Sequence, residues 1–112
     1  MIYFASYFNR NQHIGEVMSI SITQPGGYDE FDLLFPTVEL LYKYKNNEIT
    51  WDDYKIEYRN ILELRKEDII DILSNRENDD ITFCCWEKEP YRCHRIVAFD
   101  FLREIGYNVV LH

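Results

Sequence analysis

The stretch CCWEKEPYRCHR combines sulfur, imidazole and guanidinium groups at a spacing that suits chemistry. Cys84 and Cys85 close an apolar run, and Cys93, His94 and Arg95 follow a charged loop. A cysteine thiolate is both a nucleophile and a metal ligand, and cationic neighbours lower the pKa of its thiol. An arginine fork beside a thiolate suits phosphate or carboxylate. The stretch therefore predicts a reactive thiol next to an anion-binding group.

Two elements of secondary structure must position these groups. Residues 81–86 form a short apolar run with turn signals on both sides, which predicts a buried strand. The apolar spacing of residues 92–105 predicts a helix, and Gly106 stands where a glycine commonly ends a helix. The loop Trp86–Pro90 connects the two elements and delivers the chain to a helix start near Tyr91–Cys93.

The start of this helix favours both an anion and a thiolate. Helix N-termini carry unpaired N–H groups and the positive end of the helix dipole, so they bind anions and lower thiol pKa values. Arg92 and Arg95 oppose that dipole and are unfavourable for the helix itself. Binding of a ligand explains the presence of two arginines at this helix start, whereas helix stability does not.

The whole sequence predicts one α/β domain over residues 1–112. The expected sheet is small and mainly parallel, with about four strands and with helices packed on it in a Rossmann-like three-layer arrangement. Strands are predicted at 1–8, 16–22, 81–85 and 107–111, and helices from Pro36, at 51–64, at 66–76 and at 92–105. The stretch TQPGGYDEFD is predicted to be a loop.

Two of the helices carry signals at their starts. Pro36 suits a first helical turn, and Thr50 followed by Asp53 has nearly the form of a capping box. The spacing after Pro36 predicts an inward-facing set of side chains: Val38, Leu41 and Tyr42.

The composition limits the partners and the compartment. Twenty acidic residues against twelve basic ones give a formal charge of −8, which argues against binding of duplex nucleic acid through a broad basic surface. No apolar stretch approaches the roughly 20 residues of a membrane span. The N-terminal residues lack the pattern of a signal peptide, and three cysteines then indicate free thiols in a reducing compartment. We expect a cytoplasmic protein, away from membranes, whose partner is a small anionic ligand such as a nucleotide.

The candidate catalytic residues are Cys93, His94, Glu87 and Cys85. Cys93 is the candidate nucleophile, and His94 or Glu87 is the candidate for proton transfer. The competing interpretation is packing, because cysteine is among the most buried residue types and Cys84 fits that role best.

The candidate ligand-binding residues are Arg95, Arg92, Lys88, Ser6, Ser21 and Tyr58. The arginines are expected to hold the anion. Ser6 and Ser21 end predicted strands, and if those strands run parallel to 81–85 their polar ends reach the same corner. Tyr58 lies one helical turn from Tyr54, so the pair can stack a base or line a pocket. Ordinary strand-end chemistry and core packing are the alternatives for the serines and the tyrosine.

The stretch CWEKEPYRCHRIVAFDFL resembles the signature of the domain-of-unknown-function 488 (DUF488) family. The residues at matching places are Cys85, Glu87, Lys88, Cys93, His94 and Arg95. A looser likeness extends over the chain through an early SYF, the stretch SISITQP and tyrosines before NIL. The resemblance implies an α/β domain with an enzymatic site at the Cys/Glu/His/Arg motif. Longer members carry a D-x-R element after a strand, and SISITQP has no clear counterpart of it.

Three kinds of function are compatible with these residues. The first is an enzyme, a hydrolase or transferase, that acts on a nucleotide or a nucleic-acid-derived substrate at the Cys85–Arg95 corner. The second is a non-catalytic module of a phage or mobile element, which sequesters a nucleotide or docks on a partner protein through its acidic middle, Asp52–Asp80. The third is a thiol redox site, with a disulfide between Cys85 and Cys93, or a metal site with Cys85, Cys93 and His94 as ligands. Adjacent Cys93 and His94 are poorly placed to direct both side chains at one tetrahedral ion, so neither a metal nor another cofactor is expected.

Overall fold

A five-stranded parallel sheet organises the chain. The computed structural model describes residues 1–88 and 92–112. The strands are β1 (Ile2–Ser6), β2 (Glu16–Ser19), β3 (Asp29–Glu30), β4 (Ile81–Cys85) and β5 (Val109–Leu111), in the sheet order β3-β2-β4-β1-β5. The helices are α1 (Val38–Lys45), α2 (Trp51–Leu64), α3 (Lys66–Ser74) and α4 (His94–Glu104). The predicted α/β class is confirmed, with one strand more than expected.

The two central strands, β1 and β4, are apolar and almost entirely buried, as strands covered on both faces of a parallel sheet must be. Their register pairs Phe4 with Phe83 and Ala5 with Cys84. Because successive side chains of a strand point to opposite faces, these two pairs lie on opposite sides of the sheet. Phe4 and Phe83 belong to the main core, whereas Ala5 and Cys84 belong to a second cluster with Tyr7.

The helices pack on the face that carries Phe4 and Phe83. The buried apolar residues of all four helices belong to this core. The connection β3–β4, which contains α1 to α3, and the connection β4–β5, which contains α4, both advance in the same direction across the sheet. Right-handed crossovers therefore require both to lie on one face.

The opposite face is covered by the connection between β1 and β2, which advances the other way across the sheet. This segment contains a 3₁₀ turn at Arg10–Gln12. Beyond the turn, the Ile14 N–H donates to Thr82 Oγ1 at 2.8 Å, and the Thr82 hydroxyl donates to the Ile14 carbonyl at 2.7 Å. The third layer is therefore irregular chain with a short turn, where a Rossmann-like fold has α-helices.

The predicted start of α2 is confirmed by its hydrogen bonds. The Asp53 N–H donates to Thr50 Oγ1 at 3.1 Å, and the Thr50 N–H donates to Asp53 Oδ2 at 3.3 Å. These two bonds satisfy donors that a helix start leaves free. None of the helices formed by residues 1–88 and 92–112 has the length and apolar character needed to cross a membrane.

The inward face predicted for α1 is wrong in part. Val38 and Tyr42 are 68% and 65% exposed, whereas Leu40 is buried. The helix begins after its N-cap Thr37, whose hydroxyl accepts from the Leu40 N–H at 3.1 Å. The helix turns Leu40 and Tyr44, one turn apart, toward the core.

Several predicted boundaries differ from the observed ones. The predicted strand 16–22 ends at Ser19, where the hydroxyl donates to the Ser21 carbonyl at 3.0 Å and accepts from the Ser21 N–H at 3.3 Å. Such local bonds compete with a strand ladder. The short strand β3 lies inside the predicted loop TQPGGYDEFD. The predicted loop and helix start at Glu89, Pro90 and Tyr91 lie outside the described residues.

Candidate functional site

The site lies where β4 ends and α4 begins. Cys85 is the last residue of β4, and Cys93 is the N-cap of α4. Both thiols are free and buried, and their sulfur atoms are 2.7 Å apart. The carboxyl ends of parallel strands are the usual binding edge of an open α/β sheet. The first turn of α4 thus brings Cys93 directly onto the strand end that carries Cys85.

Arg95 is fully buried and holds this corner together. Its Nη1 donates to Cys85 Sγ at 3.2 Å and to Cys93 Sγ at 3.6 Å. Three carbonyl groups accept its other bonds: Glu87 at 2.5 Å, Lys88 at 3.0 Å and His112 at 3.2 Å. The guanidinium group therefore ties the loop after β4 and the chain end beside β5 to the two sulfur atoms.

The pKa values of the two thiols shift in opposite directions. Burial raises the pKa of the Cys85 thiol, but hydrogen bonds from Cys93 and Arg95 outweigh burial and bring that pKa below its ordinary value. The bond to Cys85 and burial both raise the pKa of the Cys93 thiol. The surroundings therefore favour a thiolate on Cys85 and a protonated thiol on Cys93, with the Arg95 guanidinium group beside both sulfur atoms.

His94 lies between this pair and strand β2. It is buried, and its Nε2–H donates to the Ile20 carbonyl at 2.7 Å. In the neutral ring this bond leaves Nδ1 unprotonated, and Nδ1 is 4.0 Å from Cys93 Sγ. Burial lowers the pKa of His94, but the contacts with Cys93 and Ile20 raise it overall. The ring is thus oriented to accept a proton from Cys93.

A pocket of about 120 Å³ opens beside Cys93 and His94. Its other lining residues are Leu41, Tyr44, Lys45, Trp51, Tyr54, Glu87 and Arg92. A neighbouring cavity of about 620 Å³ shares Tyr44, Trp51 and Arg92 with it. The two together form a groove between the α1–α2 connection and the start of α4, with a volume that suits a small-molecule ligand.

Arg92 stands at the mouth of this groove. Its side chain is exposed, and its backbone φ of 59° lies in the left-handed region that non-glycine residues seldom adopt. Residues held in such conformations cluster at functional sites, where the surrounding structure maintains them. Arg92, the residue before the N-cap of α4, thus lines both cavities of the groove.

Comparison with known proteins assigns a family to this arrangement. Residues 19–106 match the family model DUF488-N3a, described as the active DUF488-N3 subclade. The chain belongs to the DUF488 family. None of the curated proteins and none of the solved structures gives a significant match.

The matched segment of this DUF488 protein contains the whole motif from Cys85 to Arg95. Of the predicted catalytic residues, Cys93, His94 and Glu87 line the pocket, and Cys85 lies behind Cys93. Arg92 is the predicted ligand-binding residue that lines it. Arg95 is close to the same atoms, but each of its three nitrogen atoms already donates to a protein acceptor.

Four other predicted ligand-binding residues have different surroundings in the DUF488 fold. Ser6 donates to the Trp86 carbonyl at 3.4 Å, and Ser21 lies 2.6 Å from the Tyr7 hydroxyl. The Tyr58 hydroxyl is buried and donates to the Leu34 carbonyl at 2.5 Å. Lys88 is exposed, 5.7 Å from the ring of Phe8. These four residues do not line the groove formed by the described residues.

The sequence reasoning missed most of the aromatic wall of the pocket. Tyr44 and Trp51 have ring centroids 5.7 Å apart, and Trp51 stacks on Tyr54 at 5.3 Å. The sequence pattern indicates a pocket role for Tyr54, but it does not single out Tyr44, Trp51 or the adjacent Lys45. Their signal in the sequence is a cluster of aromatic residues on both sides of the turn between two helices.

Buried neutral acids make the stability of this DUF488 protein sensitive to alkali. Burial raises the pKa of Cys84 from 9.0 to about 12 and also raises the pKa values of Tyr7, Tyr54 and Tyr58. Each group stays protonated in the folded chain but ionises in the unfolded chain near its ordinary pKa. Stability is therefore full below about pH 9 and falls as the pH rises toward 12. We expect the melting temperature to drop steadily between about pH 9 and 11.

Calorimetry or circular dichroism over this pH range measures the drop. The variant Cys84→Ala removes one of the raised groups, so its melting temperature should fall less steeply with pH than that of the wild type. A melting temperature that stays constant to about pH 11 would contradict the assignment of these groups as buried and neutral.

Proposed function

We propose that this DUF488 protein is an enzyme, a hydrolase or transferase, that binds a nucleotide-like, phosphate-bearing ligand in the groove beside Cys93. The observation that carries this proposal is the lining of the pocket. A thiol, an imidazole and a carboxylate group meet a guanidinium group and aromatic rings within one small volume. Ligand sites commonly combine apolar walls with a few convergent polar groups.

The aromatic wall suits a planar base. Tyr44 and Trp51 are half-buried, so part of each ring borders the groove while the rest packs against the core. Stacking on such rings contributes about 1–3 kcal/mol per base and tolerates different bases. The wall accordingly supports a nucleobase without defining which one.

The cationic side chains suit a phosphate group. The pocket of about 120 Å³ beside Cys93 is the inner pocket of the groove. Arg92 and Lys45 are exposed and line it, where they provide positive charge in a protein of net charge −8. Glu48 and Asp53 line the neighbouring cavity of about 620 Å³, which is the outer cavity of the groove. The inner pocket sets Arg92 and Lys45 against one carboxylate, Glu87, whereas the outer cavity sets Arg92 alone against Glu48 and Asp53. The phosphate therefore belongs in the inner pocket, and the hydroxyl groups of a sugar belong near Glu48 and Asp53.

The remaining lining residues supply the groups of a covalent mechanism. Cys93 acts as the nucleophile, and His94 Nδ1, 4.0 Å away, accepts its proton. Glu87 lines the same pocket and protonates the leaving group. Arg95 acts as a positioning residue, because it fixes both sulfur atoms and the Glu87 carbonyl.

Isothermal titration with adenosine monophosphate, and with guanosine and cytidine monophosphates as further probes, tests the binding step. Arg92→Ala should weaken binding by about tenfold or more, because a charge-assisted hydrogen bond to phosphate is lost. Arg103→Ala removes the same charge from the far end of α4, where Arg103 pairs with Asp100, and should leave binding unchanged. Equal affinities for wild type and Arg92→Ala, or no binding of any of the three probes, would reject the site.

The binding-module alternative predicts a different result from the same protein. Cys93→Ser keeps the shape of the pocket but removes the nucleophile. If the wild type binds nucleotide and forms a covalent adduct or product that Cys93→Ser does not form, the enzyme is supported. If both bind equally and neither forms an adduct or product, a non-catalytic nucleotide-binding module is favoured.

A further inference from the structure

We propose that Cys85 and Cys93 form an oxidisable dithiol, which a peroxide converts into an intramolecular disulfide. The two free thiols are held 2.7 Å apart by the end of β4 and the start of α4. A disulfide bond measures about 2.05 Å, so the sulfur atoms need to approach by well under 1 Å.

The surroundings of the pair favour the thiolate that oxidation requires. Arg95 Nη1 lies 3.2 Å from Cys85 Sγ and 3.6 Å from Cys93 Sγ, so one buried cation stabilises a negative charge on either sulfur. A thiolate, not a thiol, attacks a peroxide. The third cysteine, Cys84, faces the opposite side of the sheet, where its sulfur is 3.4 Å from His13 Nε2. Because the sheet separates Cys84 from the other two cysteines, Cys85 and Cys93 are the pair that can react with each other.

The same atoms invite comparison with a metal site, because the ligand atoms of Cys85, Cys93 and His94 lie within 4.8 Å of one another. Tetrahedral zinc, with Zn–S bonds of about 2.3 Å, holds two sulfur atoms about 3.8 Å apart. The observed separation of 2.7 Å is more than 1 Å shorter, and the buried Arg95 charge beside both sulfurs repels a divalent cation. The geometry thus favours a disulfide over a metal.

Access to the pair is through Cys93, which lines the small pocket. The Cys93 proton first passes to Cys85 across the 2.7 Å contact. Cys93 then attacks one oxygen of hydrogen peroxide. The O–O bond breaks, Cys93 becomes a sulfenic acid, and the leaving hydroxide takes a proton from solvent to form water.

The second step closes the bond. Cys85 attacks the sulfenic sulfur of Cys93, the S–O bond breaks and the S–S bond forms. The departing hydroxide takes the Cys85 proton as a second water. The two sulfur atoms lose two electrons in total, and the peroxide gains them. The inference does not depend on the proposed function, because it needs no nucleotide and no turnover.

Exposure of the full chain to a small molar excess of hydrogen peroxide, followed by intact-mass measurement and peptide mapping, tests the proposal. The wild type should lose two hydrogen atoms, retain one of its three thiols, and give a cross-linked peptide pair that contains Cys85 and Cys93. A reducing agent such as dithiothreitol should restore all three thiols. Cys84→Ala is the matched control and should lose the same two hydrogens.

Cys93→Ser should form no cross-link and should keep both of its remaining thiols, because Cys85 is fully buried behind position 93. Because the wild-type result is read directly, the proposal stays testable even where this variant folds poorly. Wild-type protein that keeps three thiols, or gains oxygen without a cross-link, would overturn the proposal. Zinc found by elemental analysis of the purified protein, with thiols protected until a chelator removes it, would overturn it in favour of a metal site.

Discussion

Replacing Arg95 with alanine is expected to lower the free energy of unfolding by about 3–5 kcal/mol, the range for removing one partner of a buried charge cluster. The guanidinium group is fully buried and donates to three carbonyl groups and two sulfur atoms. Alanine leaves these acceptors without partners and removes the buried cation beside the two sulfur atoms. The motif arginine thus has a structural role that its position in the sequence does not reveal.

Urea denaturation followed by tryptophan fluorescence measures the change, since Trp51 and Trp86 are both half-buried. Arg103→Ala on the same helix removes an exposed ion pair and should change stability by no more than about 0.5 kcal/mol. Arg95→Lys keeps the positive charge but lacks the planar guanidinium group with its several donors. Its free energy of unfolding is therefore expected to lie between those of the wild type and Arg95→Ala. A stable Arg95→Ala variant would show that these bonds contribute little and that the guanidinium group is free for a ligand.

A second result of Arg95→Ala concerns the thiols. Without the guanidinium group, the pKa of Cys85 rises, because burial is then opposed only by the hydrogen bond from Cys93. The variant should therefore form the Cys85–Cys93 disulfide more slowly at neutral pH wherever it remains folded.

The strand end and the helix start that frame the candidate site were predictable from the sequence because their signals are local. An apolar run that ends in Cys85 and a helix that starts near Cys93 define the strand end and the helix start, and the parallel sheet brings them together. The environment of Arg95 was not predictable in the same way. Its third carbonyl partner comes from His112, seventeen residues along the chain, and such a contact depends on the order of strands in the sheet.

The wall of the groove illustrates the same limit. Tyr44 and Trp51 are separated from Cys93 by more than forty residues, and only the packed helices bring them to the same pocket. Periodicity identified α2 well, because its Thr50–Asp53 cap and its buried tyrosines agree. Periodicity failed for α1, a helix of only eight residues. Short helices offer too few turns to define a face.

The segment that covers the second face of the sheet was also not predictable from local sequence pattern. Residues 7–15 carry neither a helical period nor a strand alternation, although they form the layer that protects Cys84 and Thr82. The rule of right-handed crossovers predicts that this connection must cross the face opposite to the helices, but only once the strand order is known. Strand order is therefore the missing information that links the two layers.

Gly15→Ala is expected to cause the second large loss of stability, because Gly15 lies where the β1–β2 connection packs most tightly against the start of β4. Gly15 has a φ of +69°, and a Cβ at this position would lie 2.6 Å from the carbonyl carbon of Asp80, with the carbonyl oxygen closer still. The Asp80 carbonyl accepts from the Glu16 N–H at 3.0 Å, a bond that aligns the start of β2 with β4. Because the obstacle is backbone, the alanine can be accommodated only by separating these two strand starts.

Gly27→Ala separates the two causes of this loss. Gly27 also has a positive φ, +84°, but its Cβ would meet nothing within 4 Å. It should cost about 1–2 kcal/mol for the left-handed backbone alone, whereas Gly15→Ala adds the displacement of Asp80 and should cost at least about 3 kcal/mol in urea denaturation. Equal losses in the two variants would mean that the β1–β2 connection does not press on β4. The second face of the sheet would then be held by the Thr82 hydroxyl and its Ile14 partner alone, and Thr82→Val would become the more damaging change.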